Sequence, residues 1–214
     1  MDQRTTGLVL RTRPLTESSL IVHWVTRDFG RLSTVAKGAR RPKSPFLGKL
    51  DLFYLAELSY ALSRRSDLHT LREVRVLDFR AALRRDVARL QQAAYFAQLL
   101  EQTTEPNTPI PHLYELLARA LDALARQPCS VADILKFELD LLAELGLTPE
   151  ITRSTLSAGA RNMVQQLIGP AQLSPGPLVL SPSHTGELET FLHGFLIYHL
   201  GRVPKSRHAA LHAG

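Results

Sequence analysis

Five basic side chains and no acidic one fall within thirteen residues, Lys37-Gly38-Ala39-Arg40-Arg41-Pro42-Lys43-Ser44-Pro45-Phe46-Leu47-Gly48-Lys49. Two glycines and two prolines in that run oppose helix and strand, so Lys37, Arg40, Arg41, Lys43 and Lys49 are expected on an irregular, exposed loop. Cations on such a loop neutralise phosphates and release counterions, which gives affinity for a polyanion without reading its sequence. Ser44 and free backbone amides can add phosphate hydrogen bonds. Phe46 has two readings, a ring that stacks on an exposed base or a hydrophobic anchor for the loop. The bland account of the whole run is a solvated loop.

Smaller basic groups extend the theme. Arg11 and Arg13 share one face of a predicted strand, with Val9, opposite Leu8, Leu10 and Thr12. Arg64 and Arg65 fall between two further strand candidates. Near the end, Arg202, Lys205 and Arg207 follow a predicted helix, where cations favour the negative end of the helix dipole. Phosphate contact is the functional alternative there.

Catalytic readings find little support. The sequence has no glycine-rich phosphate loop of the Walker type, and its single cysteine, Cys129, excludes an internal disulfide and a paired-cysteine metal site. His193 and His199 are six residues apart, about 600° around a helix, and so cannot share a metal. Asp133, Glu138, Asp140 and Glu144 form an acidic stretch of the kind a two-metal nuclease uses. Only Asp140 and Glu144 share a face, and the stretch reads as a solvated helix surface. We therefore expect no enzyme, no metal and no cofactor.

The charge is unevenly placed. Residues 1–80 hold 15 Lys and Arg against 8 Asp and Glu, residues 81–190 hold 8 against 12, and residues 191–214 hold 3 against none. A basic front suits nucleic acid. No apolar run reaches the ~20 residues of a membrane span, and the polar start, Asp2-Gln3-Arg4-Thr5, lacks a secretory core, so the expected location is the cytoplasm.

The elements that must carry these groups change character near residue 80. Before it, Gly7–Arg13, Ser19–Thr26, Arg31–Lys37, Leu50–Leu62 and Leu68–Val76 read as strands. Asp28-Phe29-Gly30-Arg31 reads as a tight turn, and Ser19–Thr26 is apolar enough for burial on both faces. Five short strands predict a small closed barrel of the OB type, which leaves no open edge. An SH3-like barrel has a similar count. OB barrels bind strands over the face of strands two and three and through the loops after strands one and four, and Arg64 and Arg65 fall in the second of those loops.

Beyond residue 80 the period is 3.6. Helices are predicted over Arg84–Gln102, around Leu113–Leu124, after a Ser130/Asp133 capping box up to Gly146, over Leu156–Ile168, and over Leu188–His199 up to Gly201. Thr103–Pro111, with three prolines, breaks the helix. Residues 171–186 read as a loop with one short strand. The expected organisation is α+β: an N-terminal five-stranded OB-type barrel over 1–80, then an all-helical domain over 81–214.

Several segments carry a family resemblance. They are Val9-Leu10-Arg11-Thr12-Arg13-Pro14-Leu15-Thr16-Glu17; the block from Thr26-Arg27-Asp28-Phe29-Gly30-Arg31 through Lys37-Gly38-Ala39-Arg40-Arg41-Pro42-Lys43-Ser44; Ser66-Asp67-Leu68-His69-Thr70-Leu71-Arg72-Glu73; and Tyr198-His199-Leu200-Gly201 with Lys205-Ser206-Arg207. Together they resemble the RecO family of bacterial recombination and repair proteins. The resemblance covers most of the chain and thins between about residues 150 and 185. It implies a barrel followed by helices, binding of single- and double-stranded DNA, annealing of complementary strands, and help in loading RecA onto strands coated by single-strand binding protein. The implied partners are RecR, the acidic C-terminal tail of the single-strand binding protein and, indirectly, RecA, with a nucleoid-associated location. Many relatives carry a four-cysteine zinc site after the segment matching Gly146-Leu147-Thr148-Pro149, and no cysteine follows Cys129 here. A protein-docking adaptor and an RNA-binding barrel are the other readings.

Overall fold

The computed structural model describes residues 2–168 and 181–213. Five strands form a closed barrel: β1 (Asp2–Pro14), β2 (Leu20–Thr26), β3 (Gly30–Ala36), β4 (Leu55–Ala61) and β5 (Leu68–Asp78), in the spatial order β1-β2-β3-β5-β4. All neighbours are antiparallel except β3 and β5, which run parallel over Ser33–Val35 and Leu68–Thr70. This is the OB-type architecture. Six α-helices follow among the described residues: α1 (Val87–Thr103), α2 (Pro111–Arg126), α3 (Val131–Glu144), α4 (Ala158–Ile168), α5 (Pro182–Leu200) and α6 (Ser206–Leu211). The chain divides into two compact units, Met1–Arg85 with Thr103–Leu121, and Asp86–Gln102 with Asp122–Gly214.

β1 serves two neighbours, which explains its 13 residues. Its first half pairs with β4 and its second with β2. Gly7 sits where the strand passes from one partner to the other. A Cβ there would lie 2.9 Å from the Thr26 methyl and 3.1 Å from the Val25 carbonyl, so only glycine admits the approach. The register slips between Val9 and Arg11: Val9 faces Trp24 and Arg11 faces His23. Two steps on β1 thus match one on β2, as in a β-bulge. The slip corrects the simple alternation expected of this strand. Val9 turns into the core with Val22 and Trp24, while Arg11 and Arg13 face outward in line with His23 and Ile21. The Val9 amide donates to the Tyr54 carbonyl and the Val9 carbonyl accepts from the Phe53 amide, at 3.0 and 2.8 Å.

That pairing also shortens β4. The expected strand over Leu50–Leu62 is regular only over Leu55–Ala61, because Phe53 takes φ 65 to reach Val9. The barrel core gathers Val9, Val22, Trp24, Leu32, Ala56, Leu58, Tyr60, Leu71 and Val74. The buried Trp24 Nε1 donates to Thr34 Oγ1 at 2.9 Å, so its one polar atom is satisfied. On the outer face of the same strands Leu8, Leu10, Ile21 and Val25 are buried too, so β2 is covered on both sides as its composition predicts.

The proline-rich break after α1 has a structural task. β5 pairs only with the second half of β3, and residues 104–108 occupy the edge that remains. The Asn107 amide donates to the Arg31 carbonyl at 2.7 Å, and the Arg31 guanidinium donates to the Thr104 hydroxyl and carbonyl. The Asn107 side chain also donates to Asp67 on the β4–β5 loop at 3.1 Å. This strap passes so close to Gly30, at φ 66, that a Cβ there would collide with the Thr108 carbonyl. Glycine is required at this turn for its dihedral and for space.

In the helical unit the Ser130/Asp133 capping box forms, with both reciprocal bonds present. Gly146, at φ 73, ends α3's last turn, where the Leu147 amide donates to the Leu142 carbonyl at 2.8 Å. Of the stretch read as a loop over 171–186, residues 171–180 lie outside the described residues. Residues 182–186 are the first turn of α5, started by Ser181 as N-cap and Pro182 at N1. No helix among the described residues is long and apolar enough to cross a membrane.

Candidate nucleic-acid interface

The basic run between β3 and β4 is a chain of tight turns. Backbone amides of Ala39, Arg41, Ser44, Leu47 and Lys49 each donate to the carbonyl three residues back, at 3.0–3.3 Å. Two apolar side chains pin the run to the barrel core. Ala39 and Phe46 are each 6% exposed and belong to the core cluster. Of the two readings open for Phe46, the structure therefore supports the anchor. Its ring is spent on the barrel interior and is not presented to a base, and the outward apolar side chain of the run is its neighbour Leu47, 62% exposed. Alternation of type along a turn run carries no phase, so the sequence had no signal to choose between the two.

Between those anchors Lys37, Arg40, Arg41 and Lys43 are exposed, and Lys49 is half-buried. Among the described residues none of these five enters an ion pair. The run is also tied to the β1–β2 loop. The Arg40 amide donates to the Ser18 carbonyl at 2.9 Å, the Gly38 amide to Ser19 Oγ at 3.3 Å, and the Arg40 guanidinium to the Thr16 carbonyl at 3.4 Å. The cations are thus carried on a braced backbone, which lowers the ordering cost of gripping a ligand.

Arg13, exposed on the outer face of β1, is the penultimate residue of the strand that leads into this loop. Arg11 lies beside it and in register with His23. His23 Nδ1 is 2.9 Å from Ser33 Oγ, and its Nε2 is buried without a hydrogen-bond partner. Burial, together with the charges of Arg11, Arg13 and Arg31, lowers the His23 pKa to about 4. The lowered pKa thus reflects burial first and the three guanidinium charges second.

Arg64 and Arg65 are exposed on the β4–β5 loop, which Ser63 Oγ braces by accepting from the Arg65 and Ser66 amides. Because β5 starts at Leu68 beside Ser33, this loop lies at the β2–β3 hairpin end of β3, whereas the basic turn run leaves its far end. The loop thus approaches β3 from one direction and the turn run leaves in the other, so the register does not bring them into one cluster.

Other barrel cations are neutralised. Arg75 pairs with Glu57 at 2.7 Å, Arg4 with Glu73 and Arg72 with Asp2 at 4.0 Å. They border a groove of about 800 Å³ that also touches Lys49, Phe46 and Asp28. With carboxylates interleaved among its cations, this groove offers a polyanion much less than the turn run does.

The C-terminal basic residues, on the helical unit, diverge. Arg202 and Lys205 are exposed. Arg207 is 6% exposed and grips the fully buried Glu138 of α3 with two bonds, 2.7 and 2.9 Å, while Tyr95 Oη donates to the same carboxylate. This corrects two expectations. Arg207 is a core residue of the helical unit rather than a phosphate contact, and Glu138 belongs to no solvated face. Asp140 does face out and pairs with Lys136 at 3.0 Å. Among the described residues no three His, Cys, Asp or Glu side chains come together as a metal site. The Cys129 thiol is pushed up to about 12, chiefly by burial and then by Asp133, which makes it a poor nucleophile.

Comparison with known proteins identifies the family. Residues 1–80 match the family model described as Recombination protein O N terminal, and residues 84–162 match Recombination protein O C terminal. The chain is 34% identical over 157 residues to the DNA repair protein RecO of Alkaliphilus metalliredigens, covering 73% of this chain and 63% of that one. It is 36% identical over 152 residues to the protein of the same name from Anaeromyxobacter sp. strain K, covering 71% and 60%. It is 30% identical over 156 residues to that of Listeria monocytogenes serotype 4b, covering 72% and 60%. The matches thus span about six tenths of these relatives' length. With both family models aligned in order along one chain, the chain belongs to the RecO family.

Proposed function

We propose that this protein acts in DNA repair and recombination by holding DNA through its barrel, annealing complementary strands and assisting RecA loading. Relatives named DNA repair protein RecO support the repair role. The observation that carries the DNA-binding part is the set of exposed cations Lys37, Arg40, Arg41 and Lys43, outside any ion pair among the described residues and carried on a braced turn run. Arg13 extends the track on β1. Arg64 and Arg65 give a distant second contact that a strand crossing the outer face of β3 would meet.

The mechanism is electrostatic. Cations that neutralise backbone phosphates reduce repulsion between two strands and let complementary bases meet. Single- and double-stranded DNA share that backbone, so both bind, with little sequence preference. RecR and the acidic tail of the single-strand binding protein are the proposed protein partners, and the cytoplasm, at the nucleoid, is the proposed location.

Strand annealing at several salt concentrations tests this reading. The wild-type chain should accelerate annealing at low salt and lose the effect as salt rises. Arg40→Ala/Arg41→Ala/Lys43→Ala should anneal poorly throughout while keeping its helical content. Undiminished annealing by the triple variant would move the contact surface elsewhere.

A further inference from the structure

α5 buries Leu188, Leu192 and Leu196 and leaves an aromatic row on another side. Phe191, Phe195 and His199 follow one another at four-residue spacing, with ring centroids 6.1 and 4.3 Å apart. At its end Tyr198 is 83% exposed, more than any other large apolar side chain among the described residues. Its ring meets His199 edge-on, 4.9 Å between centroids at 84°.

The backbone beyond Tyr198 is fixed as well. Gly201, at φ 73, ends the helix. The Gln102 side chain donates to the Arg202 carbonyl at 2.5 Å, and Ser206 Oγ donates to Gln98 Oε1 at 2.8 Å, both on α1. Arg207 is drawn into the core, while the Arg202 and Lys205 side chains stay exposed and outside any ion pair among the described residues. No Asp or Glu occurs after Glu189.

We infer that Tyr198, Arg202 and Lys205 form a second site for single-stranded nucleic acid on the helical unit, so that one molecule carries two strands. An exposed aromatic face with cations a few residues away is the combination on which unpaired bases stack while their phosphates are neutralised. A tyrosine ring brings stacking area with only two side-chain torsions to fix. The absence of Asp and Glu from the sequence after Glu189 favours a polyanion over a mixed-charge protein surface. A site of this kind gives an annealing protein a separate hold on each of two strands. The inference rests on the reading of the chain as a nucleic-acid binder but on none of the barrel residues.

The test is a titration of the full chain with a short oligothymidylate, reading stoichiometry and affinity for the wild type, Tyr198→Ala, Tyr198→Phe and Arg40→Ala/Arg41→Ala/Lys43→Ala. The wild type should bind two strands per chain. Tyr198→Ala should bind one, with the second weakened about tenfold or more, and Tyr198→Phe should keep both, because the ring remains. Unchanged stoichiometry and affinity in Tyr198→Ala would overturn the proposal. So would intact oligothymidylate binding in Tyr198→Ala accompanied by loss of binding to an acidic peptide, which would make the surface a protein dock. If the barrel variant binds like the wild type while Tyr198→Ala loses a strand, the barrel reading fails and this site stands. The reverse pattern sinks this site and leaves the barrel.

Discussion

The molecule has two basic motifs that look alike in sequence and differ in use. In the turn run after β3, Arg40, Arg41 and Lys43 point into solvent and no carboxylate among the described residues neutralises them. In the closing motif, Arg207 is buried against Glu138 and donates to both of its carboxylate oxygens, through Nε and Nη2. The first arrangement leaves charge unspent and available to a ligand. The second uses the charge inside the fold, where it tolerates no loss. A cluster of cations is therefore a binding site only where the protein withholds its own carboxylates.

Breaking the closing motif should have the largest effect, and it should fall on stability. Arg207→Ala leaves Glu138 buried and unpaired, at a cost of about 3–5 kcal/mol. Urea unfolding should show that loss, and Glu138→Leu/Arg207→Met should recover much of it, because the stranded charge is gone. If Arg207→Ala instead unfolded like the wild type, the ion pair would not form in solution.

Phe46 comes next. Truncating a buried phenylalanine costs roughly 3 kcal/mol or more, and the loosened turn run should then hold DNA more weakly. Phe46→Leu fills the anchor site with an aliphatic side chain and should retain near-wild-type DNA affinity. A large affinity loss in a stable Phe46→Leu protein would mean that the ring stacks on bases after all.

A smaller effect attaches to His23. Its folded pKa, about 4, lies below the ordinary 6.5, so the unfolded chain takes up the proton first as pH falls. The stability this group protects is complete above pH 6.5 and is lost progressively towards pH 4. Thermal melts of His23→Gln should therefore decline less over that window than those of the wild type, and parallel declines would remove His23 from the account.

The barrel and most helices were legible because their signals are local. A nearly continuous β-branched and aromatic run marks β2, two-residue alternation marks β3, and the Ser130/Asp133 box marks the start of α3. What escaped depends on partners distant in sequence. The slip at Val9 is set by backbone bonds to Phe53 and Tyr54, and the fate of Arg207 by a glutamate on α3. The strap over 104–108 looked like a helix break and no more, because its bonds go to Arg31 and Asp67. The exposed cations of the turn run were legible, since glycines and prolines exclude regular structure around them. The inward turn of Phe46 was not.

The central claim is that Arg40, Arg41 and Lys43 meet phosphates directly, and the salt dependence of equilibrium DNA binding tests it. Each phosphate neutralised contributes about −0.9 to the slope of log affinity against log salt on duplex DNA. The Arg40→Ala/Arg41→Ala/Lys43→Ala variant should therefore show a slope shallower by about 2.7, so that between 50 and 200 mM salt the wild type loses roughly 40-fold more affinity than the variant. Parallel slopes for the two proteins would contradict the account.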